Sequence, residues 1–149
     1  MRPVKNSTTI ALTFFWIGLI CAISFMEAWL KFQAPGITLE LGLGIGKLVF
    51  NALNKVEWVL AIIVLIKIIL SGGKLLKGNN LLIVLIVTIL SLQSFWLLPA
   101  LFDRANMYIE SQDVSSNSFT HYTYIIVEVI KVISLTIFGV SLLRNKKPN

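Results

Sequence analysis

Four apolar stretches separated by polar punctuation set the plan of this chain. Between Lys5 and Glu27 lie 21 uncharged residues, and between Lys77 and Asp103 lie 25. At about 1.5 Å per residue, either run is long enough as a helix to cross a hydrocarbon layer about 30 Å thick. The other two stretches are interrupted by charge. Trp58 to Ile66 is strongly apolar but lies between Glu57 and Lys67. A span there needs the amphipathic lead-in from Lys47, with the Lys67 ammonium reaching back to the surface. Thr120 to Leu143 is long enough, and its internal charges are Glu128 and Lys131. The pattern predicts an all-α fold, a single integral-membrane four-helix bundle with spans over about 7–31, 47–71, 79–100 and 120–143.

The punctuation between the stretches differs in kind. Pro35-Gly36 ends the first helix in a turn. Leu41-Gly42-Leu43-Gly44-Ile45-Gly46 then alternates glycine with aliphatics, too greasy for a solvated loop, and reads as an interfacial or re-entrant stretch packed against the bundle. It is no phosphate cradle, because the G-x-x-x-x-G-K-[ST] spacing and a preceding strand are missing. Ser71-Gly72-Gly73-Lys74 through Gly78-Asn79-Asn80 is short and helix-breaking, which makes the second and third helices antiparallel neighbours. Pro99 marks the end of the third span, and Asp103 to about Ser118 has the composition of an exposed loop.

Composition sharpens the membrane reading. Hydrophobic residues make up 56% of the chain, charged residues 13%, and mean hydropathy is +0.84, too apolar for a water-soluble domain of 149 residues. The net charge of +6 is a topology signal before it is a nucleic-acid signal. Arg2 and Lys5, Lys74 and Lys77, and Arg144, Lys146 and Lys147 fall on one side, which the positive-inside rule makes the cytoplasm. Both termini then lie inside a plasma or bacterial inner membrane. The first apolar run is longer than a signal-peptide core and Ala22-Ile23-Ser24 within it is a poor cleavage site, so it reads as a retained helix.

Candidate chemistry centres on the fourth span. At 100° per residue, His121, Tyr124, Glu128 and Lys131 share an arc of about 80°, a stripe running from the outer surface to about mid-depth. Charges at that depth normally pair and face a protein interior or wet cavity. Glu27 and Lys31, Asn54 and Glu57, and Gln93 bring further polar groups to the same outer half. The inner half adds little beyond Lys67, Thr88, Ser91, Ser134 and Ser141. One cysteine, Cys21, rules out an intrachain disulfide or CxxC pair, and the single histidine cannot form a two-histidine haem site within one chain. The sequence indicates no cofactor and no metal site.

The layout resembles small four-span membrane-protein families of unassigned function. The residues that carry the likeness are Ser24-Phe25-Met26-Glu27-Ala28-Trp29-Leu30-Lys31-Phe32, the following Ala34-Pro35-Gly36, the Gly46 to Phe50 lead-in and His121. The resemblance implies a four-helix bundle and no particular activity. Three functional classes follow from the residues. The first is binding of a lipid, quinone or small solute in an outward-facing polar groove, in contact with membrane lipids and related to transport. The second is an accessory subunit of a homo-oligomer or larger membrane complex, with the polar face as interhelical glue. The third is an enzyme on a lipid-like substrate using His121 and Glu128, weakened by the lack of a nucleophile elbow, metal cluster or phosphate loop and by their separation of about 10 Å along the helix.

Overall fold

The protein, described here from a computed structural model, is all-helical over the described residues, which are 7–72, 75–76, 78–111 and 119–144. Four helices account for nearly all of them. Helix α1 (Ser7–Gln33) widens into a π turn over Cys21–Glu27, where the Ala28 N–H reaches the Ile23 carbonyl five residues back. Its last turn tightens to a 3₁₀ helix, and Ala34, ahead of Pro35, is extended. Gly36 takes φ 82°, which the turn closed by the Ile37 N–H on the Ala34 carbonyl requires.

Helix α2 (Leu39–Leu70) begins at Thr38, whose hydroxyl accepts the Leu41 N–H at 3.2 Å. The glycine-alternating segment is therefore no separate stretch: it is the first turns of one continuous 32-residue helix, which corrects the expected re-entrant segment and the start at 47. Its glycines make room for the end of α1. A Cβ on Gly42 would stand 2.1 Å from the Phe32 ring, and one on Gly46 would stand 3.1 Å from the Lys31 ammonium.

Helix α3 (Gly78–Glu110) does not stop at Pro99. A π turn over Gln93–Leu97 precedes the proline, and the Leu98 N–H bonds to the Gln93 carbonyl. This wider turn relieves the demand that proline cannot meet, a donor to the fourth carbonyl back. The expected loop from Asp103 is thus helical to Ser111, and its remainder, residues 112–118, lies outside the described residues. Helix α4 spans Phe119–Arg144.

Consecutive helices run antiparallel, and α1 and α3 each pack against both α2 and α4. The main core fills one half of the bundle: Trp16 and Ile20 meet Leu60, Ala61, Val64 and Ile68, with Ile83, Ile86, Leu90, Leu135 and Phe138. Gly139 admits Thr13 and Phe14 of α1 to van der Waals contact. A smaller cluster of Leu97, Leu98 and Tyr124 marks the other half, where the α1–α2 turn lies. Three helices, α1, α3 and α4, are long and apolar enough to cross a membrane. Helix α2 is long as well but carries Glu40, Lys47, Lys55, Glu57 and Lys67.

Candidate functional site

At the junction of the two halves, Lys131 projects from α4 into the bundle and is fully buried. Its ammonium has three hydrogens, and three acceptors surround it. Glu57 Oε1 of α2 lies at 2.6 Å, Gln93 Oε1 of α3 at 2.7 Å, and Glu128 Oε2, one turn back on α4, at 3.0 Å. The Gln93 amide completes the ring by donating from Nε2 to Glu128 Oε2 at 2.5 Å. Helix α1 contributes uncharged donors: the Trp16 indole N–H to Glu57 Oε1 at 2.9 Å, and the Ser24 hydroxyl to Glu128 Oε1 at 2.8 Å. All four helices meet in this network. With every group ionised, two carboxylates face one ammonium.

Both π turns serve it. Ser24 lies inside the π turn of α1 and Gln93 opens that of α3. A π turn inserts an extra residue, which re-aims a side chain without changing the faces of the flanking helix, and such turns recur at functional sites.

Above the network, between the α1–α2 turn and the start of α4, a cavity of about 370 Å³ opens among all four helices. Phe25, Ala28, Trp29 and Phe32 of α1, Leu43 and Phe50 of α2, and Leu98, Leu101, Phe102 and Ala105 of α3 make its walls mainly apolar. Ser24, Tyr124 and Glu128 stand at its inner end, and Lys31, Lys47 and His121 line it further out. Tyr124 is buried with its ring edge-on to Phe50, centroids 5.5 Å apart.

The candidates named from sequence do not all come together. Glu57, Gln93, Glu128 and Lys131 come together in the network. Glu27 and Lys31 pair with each other at 3.2 Å, one helical turn apart, and stay out of it. Lys31 also lies over the rings of Phe32 and Phe50, at 5.4 and 5.7 Å from their centroids. His121 is largely exposed and neighbours Tyr122. Asn54 belongs to a separate contact, in which Ser94 bonds to its side-chain oxygen at 3.0 Å and accepts the Trp58 indole N–H at 2.8 Å.

Trp16, Ser24, Trp58 and Ser94 are the polar partners that sequence reading missed. The two tryptophans carried a usable signal, since a buried indole N–H normally finds an acceptor. The serines carried none beyond their presence in an apolar run. Among the described residues no group of three or more His, Cys, Asp or Glu side chains is placed to hold a metal ion. No family model, curated protein or solved structure matches the chain, so the likeness to small four-span families rests on layout alone.

Proposed function

We propose that this is a four-span membrane protein that binds a lipid-like amphiphile in the cavity among its helices, opening to the outer side, with both termini in the cytoplasm. The membrane reading draws support from the inverted distribution of polarity. Glu57, Gln93, Glu128 and Lys131 are buried, while Phe15, Ile69, Phe95 and Ile133 are exposed on the outer surface. Such an arrangement suits a hydrocarbon surround and would be costly in water.

The cavity carries the binding reading. Its volume falls in the range of small-molecule sites, and its walls are apolar with a few polar groups, the usual composition of such sites. The charged network below holds the four walls in register. The core that includes Trp16 and Phe138 fills the far half of the bundle with apolar side chains. That favours binding over transport by this chain alone.

Native mass spectrometry of the protein extracted from its own membranes in mild detergent tests the reading. The expected result is a stoichiometric small-molecule adduct that disappears in Ala105→Phe, which fills the cavity from α3, without a lower melting temperature. A bare chain would overturn the proposal. A stable complex with a second protein and no adduct would replace it with the accessory-subunit reading.

A further inference from the structure

We infer that the cavity selects an amphiphile with an anionic head, a carboxylate or phosphate, held near the mouth by the ammonium groups of Lys31 and Lys47 with the apolar tail pointing inward. The inference rests on the proposed amphiphile site and names the chemistry of its ligand.

Three observations support it. First, both lysines turn inward. Lys31 keeps only 10% of its side-chain exposure, and Lys47 donates to Asn106 across the α2–α3 interface. A lysine that merely anchors a helix at a membrane surface would extend toward water. Second, the room for the Lys31 ammonium is built in, because Gly46 lacks the Cβ that would press on Nζ, and the Phe32 and Phe50 rings flank it. Third, the polarity of the cavity has a direction. The Glu27 carboxylate offsets Lys31, but Lys47 is partnered by a neutral amide, which leaves the outer group one positive charge in excess. At the inner end both Glu128 oxygens are already bonded and its side chain has no exposure, so it offers an incoming head nothing free. An anionic head is therefore drawn outward and a tail inward.

The test uses the full chain in nanodiscs of phosphatidylcholine, with dodecyl phosphate, dodecanol and inorganic phosphate as probes and Ala105→Phe as the control for partition into lipid. Dodecyl phosphate should bind about tenfold more tightly than dodecanol, the equivalent of one charge-assisted hydrogen bond. Lys47→Gln should remove most of that ratio. Lys31→Met should do the same, and Glu27→Gln with Lys31→Met, which leaves no lone carboxylate, reports the ratio if the single change does not fold. Equal affinity for the two dodecyl compounds, both lost in Ala105→Phe, would overturn head selection and leave the amphiphile site standing. Failure of both to bind above the control would overturn the site as well. Inorganic phosphate binding as tightly as dodecyl phosphate would overturn the inference in favour of a simple anion site.

Discussion

Lys131 is the residue on which the interior depends, because it is the cation shared by two buried carboxylates on two helices. Removing one partner of a buried pair leaves an uncompensated charge and typically costs about 3–5 kcal/mol. Lys131→Met should therefore destabilise the bundle by about that amount. Adding Glu128→Gln should recover part of the loss, and adding Glu57→Gln should recover more, since each step removes an orphaned carboxylate. Denaturation of the three variants in detergent checks the order. Equal stability of all three would show that the charges do not act as one unit. The sequence made Glu128 and Lys131 conspicuous because both interrupt an apolar run. It also offered Glu57 and Gln93 as partners, alongside Glu27, which bonds to Lys31 instead. Ser24 was hidden because a serine in an apolar helix usually needs no special account, whereas the indole N–H of Trp16 was a donor in search of an acceptor.

Among the elements, the start of α2 and the middle of α3 depart most from the sequence reading, for related reasons. Glycine and proline were taken as helix breakers, yet each has a tertiary use here. Gly42 and Gly46 let the last turn of α1 lie against α2, and Pro99 follows a π turn that accommodates it. Helix propensity is a weak prior that packing overrides. The glycines need not behave alike. Gly42→Ala drives a methyl against the Phe32 ring and should cost about 1–3 kcal/mol. Gly44→Ala meets nothing within 4 Å and should stabilise α2 by up to about 1 kcal/mol. Paired melts of the two variants separate these effects. A stabilising Gly42→Ala would argue against the close α1–α2 contact.

For the whole molecule, the all-helical architecture was legible from hydrophobic run lengths alone, whereas the cavity was not. Its walls come from four segments distant in sequence, and only antiparallel packing brings them together. The proposed membrane setting makes a direct prediction about Cys21, which is exposed on the outer face of α1. In sealed vesicles Cys21 should resist a water-soluble maleimide and react once the protein is denatured. Rapid labelling in intact vesicles would place that face in water. The convergence of all four helices on one polar network also bears on how the chain is made. Synthesis runs from the N-terminus, so Glu57 is in place two helices before the ribosome reaches Lys131. Until α4 arrives, the carboxylate of α2 lacks its cation, and α1 to α3 form an unfinished assembly. The last helix therefore acts as the closing piece, and a nascent chain cut short before it leaves the Glu57 carboxylate without its cation.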